Sequence, residues 1–260
     1  MKNINECLEK ISSLTATAYK EKFSDNSGSV IVNIRGRNNK YNEQICKCIA
    51  QNFDKLKNIE ETFEPKHSYY INRENSRYDF INDSPINLTE KRLAICFYNM
   101  VRDIDVFHTP LHYETPIGEN KIGAVDLIYT DENYINLIEL KSGKSPETLL
   151  RALLEIYTYY KKINKKLFYK SFNLDSKMSF RLIILLEDKT VAAIEANNLN
   201  KYVELLNLIK LIQKECPVKI FTFERINRDV AKFASNKKHP LYLENAKFNL
   251  KEINIPQFNK

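Results

Sequence analysis

Three ionisable residues interrupt two apolar runs near the middle of the chain: Asp126, Glu139 and Lys141. The runs, residues 124–129 and 134–140, flank a polar turn and predict a β-hairpin. Charged groups inside a buried strand are costly unless they are paired or bind a metal, so these three residues are candidates for chemistry. Because side chains alternate faces along a strand, Glu139 and Lys141 are expected to point the same way.

The spacing of the two acids predicts a cation site at one end of this hairpin. If the turn centres near Glu132, Asp126 lies opposite Ile138 or Glu139. Two carboxylates held that close repel each other unless a cation lies between them, and such oxygen ligands suit Mg²⁺ or Mn²⁺. An ordinary hairpin with a partly buried ion pair is the alternative, since structural ion-pair networks produce similar clusters.

The pattern of Asp126 in one strand, followed in the next by Glu139 and Lys141 two residues apart, resembles the catalytic signature of the PD-(D/E)XK nuclease superfamily. Gly123 before the Asp, and Gly143 shortly after the Lys, are similar to the RecB-type branch. The resemblance implies an α/β protein with a restriction-endonuclease-like αβββαβ core, a mixed sheet flanked by helices. It also implies Mg²⁺- or Mn²⁺-dependent hydrolysis of phosphodiester bonds.

The resemblance implies a role for each residue of the signature. Asp126 and Glu139 would hold the metal, and the backbone carbonyl of Leu140 would add a ligand. Lys141 would orient or deprotonate the attacking water and stabilise the developing negative charge. Since a lysine beside two carboxylates is expected to stay charged, the electrostatic role is favoured over that of a free base.

A further metal ligand is expected from Glu90, at the start of the helix before the first strand, because related nucleases often carry a liganding Glu there. The alternative for Glu90 is an acid that stabilises the helix N-terminus. Glu114, in the first strand beside the hairpin, is the rival for the same role.

Four residues are expected to face the substrate. Glu155 and Tyr159 lie in the helix after the hairpin, where RecB-type nucleases often have Gln-x-x-x-Tyr, with Glu here in place of Gln. Residues four apart share a helix face, although Tyr159 as a core residue is the alternative. Gly123 and Gly143 are expected to let a nucleic-acid backbone come close, and simple turn glycines are the alternative.

Periodicity and capping signals predict the elements that position these residues. Thr89 is expected to cap a helix that runs to about residue 102, and Ser145 to cap one that runs to about residue 163. Further elements are predicted as helices at residues 43–56 and 199–213 and as strands at residues 111–115, 181–186 and 218–223.

The chain divides into three predicted parts. Residues 1–85 form a helical and mixed N-terminal extension of unknown role, 86–225 form the nuclease-like core, and 226–260 form a polar tail. Lys and Arg number 40 against 33 Asp and Glu, a net charge of +7 that suits a polyanionic partner. Five scattered cysteines do not form a disulfide framework.

The sequence contains no apolar run long enough to cross a membrane and no signal-peptide pattern, so a cytoplasmic location without membrane contact is expected. We expect a metal-dependent nuclease that acts on nucleic acid, with DNA favoured, in defence or DNA processing. The sequence is compatible with a homodimer. The alternative function is a non-catalytic nucleic-acid-binding or effector-sensing module on the same fold.

Overall fold

The computed structural model describes residues 39–58, 68–71, 88–99, 108–117, 123–143, 145, 147–225 and 248–256. Most of the predicted N-terminal extension therefore lies outside the described residues. None of the helices in the described part of the chain is long and apolar enough to span a bilayer.

A six-stranded mixed sheet forms the centre of the fold, and its strands are ordered across the sheet as they are along the chain. The first three strands form an antiparallel meander, the fourth and fifth run parallel to the third, and the sixth is antiparallel to the fifth. The predicted α/β class with a mixed sheet is confirmed. The strands are β1 (Thr109–Pro116), β2 (Ala124–Thr130), β3 (Tyr134–Lys141), β4 (Ser179–Glu187), β5 (Val218–Arg225) and β6 (Phe248–Glu252).

Helices cover both faces of the sheet. One face packs against α3, and the other packs against a larger layer that includes α1, α4 and α7. A 3₁₀ turn, Leu199–Lys201, precedes the last helix. The helices are α1 (Asn39–Gln51), α2 (Phe53–Lys57), α3 (Leu88–Asn99), α4 (Leu149–Lys162), α5 (Lys165–Phe172), α6 (Val191–Ala196) and α7 (Val203–Gln213).

Strand β4 is buried on both faces, which explains its apolar sequence. Leu182, Ile184 and Leu186 belong to the core shared with α4 and α7, whereas Ile183 and Leu185 belong to the core shared with α3. A strand between two helical layers has no polar face, so its sequence is a continuous apolar run rather than an alternation of apolar and polar residues. The hairpin and the strands predicted at 111–115, 181–186 and 218–223 are confirmed, each extended by one or more residues.

Both predicted helix caps before and after the hairpin were wrong. Helix α3 begins at Leu88, so Thr89 lies inside it. The cap of α4 is Thr148, whose side chain accepts a hydrogen bond from the Arg151 N–H at 3.3 Å. Ser145 instead closes a turn, its N–H donating to the Ser142 carbonyl at 3.2 Å. Ser and Thr cap helices almost equally well, so residue type alone did not separate the two candidates.

Three elements were not predicted, and two predicted helices are broken. These elements are α5, α6 and β6, and β6 adds residues from the predicted C-terminal tail to the sheet. The helix expected at 43–56 begins earlier, at Asn39, and is interrupted at Asn52, where α1 gives way to α2. The helix expected at 199–213 is a 3₁₀ turn followed by α7.

Glu195 of α6 fixes the N-terminus of α4. Its carboxylate is buried and accepts hydrogen bonds from the Leu149 N–H at 2.7 Å and from Asn42 Nδ2 at 3.4 Å. Burial, with a contribution from Glu43, raises the pKa of Glu195 from the ordinary 4.5 to about 7, although both hydrogen bonds oppose the shift. Among the described residues Asn42 Oδ1 is buried without a partner, and a protonated Glu195 could donate to it after an amide flip.

We predict that Glu195→Gln removes a pH dependence of stability. Because the pKa of Glu195 is higher in the folded state than in the unfolded state, its protonation stabilises the fold. This contribution to the free energy of unfolding is fully present below pH 4.5 and is lost as pH rises through about 7. Wild type should lose about 3 kcal/mol of unfolding free energy across that interval from this residue, and the variant should not. Urea unfolding at the two pH limits measures the difference, with Glu132→Gln in the exposed hairpin turn as the control. An unchanged pH slope in Glu195→Gln would contradict the prediction.

Candidate active site

The side chain of Lys141, at the end of β3, lies among three carboxylates. Its Nζ is 2.6 Å from Glu139 Oε1, 2.8 Å from Glu147 Oε2 and 3.1 Å from Glu155 Oε2. The lysine side chain is only 6% exposed, so its charge is compensated by these contacts rather than by water. Strand β3, the segment before α4 and the second turn of α4 each contribute one carboxylate.

Lys141 is held as an ammonium ion by these neighbours. Burial by itself lowers the pKa of Lys141, but Glu139, Glu155 and Glu147 raise it well above its ordinary value. For Glu155, burial acts to raise the pKa, but Lys141 and a hydrogen bond from Tyr159 lower it below the ordinary value. The pair is therefore charged on both sides, and Lys141 is a fixed positive charge rather than a free base.

Asp126 and Glu139 are neighbours across the β2–β3 hairpin. Leu127 pairs with Ile138, so one step further along the ladder Asp126 stands level with Glu139. The Leu140 N–H donates to Asp126 Oδ2 at 2.7 Å. Burial raises the pKa of both carboxyl groups well above the ordinary range, and Asp126 adds to the shift of Glu139.

One oxygen of the Glu139 carboxylate is unsatisfied. Glu139 Oε1 contacts Lys141, but Oε2 is buried and has no hydrogen-bond partner among the described residues. An unsatisfied buried carboxylate oxygen is costly, and a cation is one group that satisfies it. This oxygen is consistent with the metal-ligand role predicted for Glu139.

Glu114 also lies near this site. In the β1–β2 ladder it stands level with Asp126, and its φ of +47° is in the left-handed region that residues other than glycine rarely adopt. After burial and the opposing effect of Lys141, Glu114 is the next influence on the pKa of Asp126, and it raises that pKa. Backbone strain of this kind concentrates at functional sites.

Glu90 reaches the site through the backbone of the loop that follows Lys141. Glu90 Oε1 accepts a hydrogen bond from the Ser142 N–H at 3.1 Å. Burial raises the pKa of Glu90, and Lys141 opposes the shift. Gly143, which follows Ser142 in the loop, is exposed and donates its N–H to Glu187 Oε2 at 2.5 Å. Two carboxylates therefore fix the course of the loop.

Gly123 and Tyr159 touch each other. Tyr159 donates a hydrogen bond to Glu155 Oε1 at 2.9 Å, which leaves Glu155 Oε2 for Lys141. A Cβ atom at Gly123 would lie 2.1 Å from the Tyr159 hydroxyl oxygen, and Gly123 has φ +146°. The glycine therefore makes room for the tyrosine ring, and Tyr159 is both a packed residue and a partner of the site.

Four contributors to the site were not identified from the sequence. Two of them are Glu147 and Arg151: Glu147 bridges Lys141 and Arg151. The available signal was the four-residue spacing of Arg151, Glu155 and Tyr159, which places them on one stripe of α4, with Glu147 four residues earlier in the segment before the helix. The other two, Glu187 and Arg225, form an ion pair at 2.7 Å at the ends of β4 and β5.

The described residues contain no group of three or more His, Cys, Asp or Glu side chains arranged to hold a metal ion. Asp126, Glu139 and Glu90 are thus not assembled as a three-carboxylate centre. The part of the predicted ligand set that the geometry brings together is smaller: Asp126 and Glu139 stand level across the hairpin, and the Leu140 N–H donates to Asp126. The unsatisfied Glu139 oxygen fits a cation, and Glu90 binds the loop backbone.

Comparison with known proteins gives no relative. No protein-family model matches the chain, and neither the curated proteins nor the solved structures contain a significant match.

We predict that Gly123→Ala destabilises the protein by about 1–3 kcal/mol, because the new methyl group meets the Tyr159 ring and the backbone has positive φ. In a Tyr159→Ala background the ring is absent, so the same substitution should cost only the backbone strain. A double-mutant cycle by urea unfolding measures the coupling. Equal costs in the two backgrounds would show that the contact does not constrain Gly123.

Proposed function

We propose that this chain is a metal-dependent nuclease of the PD-(D/E)XK type. The observation that carries the proposal is the unsatisfied oxygen of buried Glu139, beside Asp126 and beside an ammonium fixed by carboxylates. The order α3, β1, β2, β3, α4 and β4 supports it, because it matches the αβββαβ core that the resemblance implies, with α5 inserted. No membrane-spanning helix was found among the described residues.

Asp126, Glu139 and the Leu140 carbonyl are the groups that would hold Mg²⁺ or Mn²⁺. When bound, such a cation polarises the phosphate and lowers the pKa of a water molecule. Oxygen ligands of this kind suit both metals. Burial raises the pKa values of Asp126 and Glu139, and an added positive charge would stabilise the ionised form of both carboxyl groups.

Lys141 supplies the positive charge that stabilises negative charge as it develops on the phosphate. Its ammonium is positioned before any substrate arrives, because Glu139, Glu147 and Glu155 fix it from three directions. A preorganised charge in a site that excludes water is more effective than one that must reorganise during the reaction. Glu155, oriented by Tyr159, is a positioning residue for this ammonium.

The substrate proposed for this site is nucleic acid, with DNA favoured. The net charge of +7 supports a polyanionic partner. A role in defence or DNA processing, and a cytoplasmic location, rest on the resemblance and on composition alone.

An ion-pair network without catalysis is the second candidate, on a nucleic-acid-binding or effector-sensing module. The observation that favours it is the pairing of Lys141 with three carboxylates, since such networks also occur for structural reasons. The two candidates differ in one measurable property, because only the nuclease hydrolyses a phosphodiester bond when Mg²⁺ or Mn²⁺ is added.

We predict that Asp126→Asn and Lys141→Met separate metal binding from chemistry. Asp126→Asn removes a ligand charge, so Mn²⁺ affinity and cleavage should fall together. Lys141→Met removes a competing cation, so Mn²⁺ affinity should be unchanged or higher, while cleavage falls by at least about 100-fold.

Calorimetric titration with Mn²⁺ and a cleavage assay on plasmid and single-stranded DNA measure these effects, with Lys219→Met, which is half-buried and paired with Glu252 on β6, as the control. Thermal unfolding of each variant verifies that the fold is retained. A wild-type protein that binds Mn²⁺ but cleaves neither substrate would favour the second candidate.

A further inference from the structure

Several hydrogen-bond donors at the site have no acceptor among the described residues. Arg151 Nε, Arg151 Nη1 and Ser142 Oγ are buried without a hydrogen-bond partner there, although Arg151 Nε makes an ion-pair contact with Glu147. Leaving a buried donor unsatisfied is costly, so native structures seldom retain one without a reason. Unsatisfied donors indicate that an acceptor belongs near them, just as the unsatisfied oxygen of Glu139 indicates a cation.

Arg151 belongs to the same cluster as Lys141. Its Nε lies 2.7 Å from Glu147 Oε1, and Glu147 Oε2 lies 2.8 Å from the Lys141 ammonium. Arg151 also acts electrostatically on Glu155, one turn further along α4. The guanidinium is therefore a second positive charge at the site, and it lies on the stripe of α4 that carries Glu155 and Tyr159.

A phosphate group is the acceptor whose chemistry fits these donors. Guanidinium N–H groups are arranged as a fork that matches two phosphate oxygens, and a hydroxyl adds a further hydrogen bond. Carboxylates at the site repel a polyanion, and three of them already surround the Lys141 ammonium. Arg151 has a single carboxylate contact in the described structure, so it is the cation more available to an incoming phosphate.

Glu147 is the group that must exchange with the phosphate. Its side chain is 21% exposed, more than the 4% of Glu139 and the 14% of Glu155. A rotation of Glu147 toward solvent would release Arg151 without moving either strand of the hairpin.

We propose that Arg151 binds a backbone phosphate of the nucleic-acid substrate, and that Glu147 occupies this position until the phosphate displaces it. The inference rests on the proposed function for the identity of the substrate. The two partners of this ion pair have opposite effects on phosphate binding, because Arg151 attracts the phosphate and Glu147 competes with it.

The test measures binding of fluorescein-labelled DNA by anisotropy, with EDTA present and over a series of salt concentrations. Arg151→Gln should weaken binding by about 10- to 100-fold and reduce the slope of log K against log salt by about 1. Glu147→Gln should bind more tightly than wild type. Lys161→Gln, at the other end of α4 and paired with Glu215, is the matched control and should bind like wild type.

The outcomes separate this inference from the nuclease proposal. An unchanged affinity and salt slope in Arg151→Gln would overturn the inference, and so would a loss of binding in Glu147→Gln equal to that in Arg151→Gln. A cleavage assay on wild type with Mg²⁺ or Mn²⁺ decides the nuclease proposal independently. Cleavage without an Arg151 effect refutes only the inference, and an Arg151 effect without cleavage refutes only the nuclease.

Discussion

The contact of the Lys141 ammonium with buried carboxylates is the interaction on which the arrangement of the site depends. An unpaired ammonium in this position would be strongly destabilising, because burial removes its hydration. Its partners come from the end of β3, the segment before α4 and the second turn of α4. The charge of Lys141 is therefore compensated only when β3, the segment before α4 and α4 itself are all correctly placed. The loop is held further by the contacts of Ser142 with Glu90 and of Gly143 with Glu187.

Negative charge exceeds positive charge around this ammonium. Burial raises the pKa of Asp126, Glu139 and Glu90, and Lys141 opposes each shift without cancelling it. Buried charges are often no more stabilising than apolar residues of similar volume, so such an excess weakens the folded state. A divalent cation relieves the repulsion without any change in the backbone. The proposed cation would oppose the effect of burial on these three carboxyl groups.

The parts of this structure that could be predicted from sequence are those with strong periodicity. The hairpin and β4 were predictable because apolar runs between turn residues allow few alternatives, and the two-residue spacing of Glu139 and Lys141 places both on one face. Helices α5 and α6 are short, and strand β6 has partly exposed residues, so none of them has a distinctive pattern. Contacts between distant residues, such as Asn42 with Glu195, depend on tertiary packing and leave no local signal.

Glu155 shows how one departure from a family pattern constrains its neighbours. The RecB-type pattern has a neutral Gln at this position, whereas here a carboxylate lies 3.1 Å from the Lys141 ammonium. A carboxylate only accepts hydrogen bonds, so the Tyr159 hydroxyl must donate to it, and the tyrosine ring must lie where Gly123 leaves space for it. An amide would leave the ammonium with one anionic partner fewer in a site that excludes water. Lys141, Glu155, Tyr159 and Gly123 therefore form one electrostatic and steric unit, in which a change at any member alters the surroundings of the Lys141 ammonium.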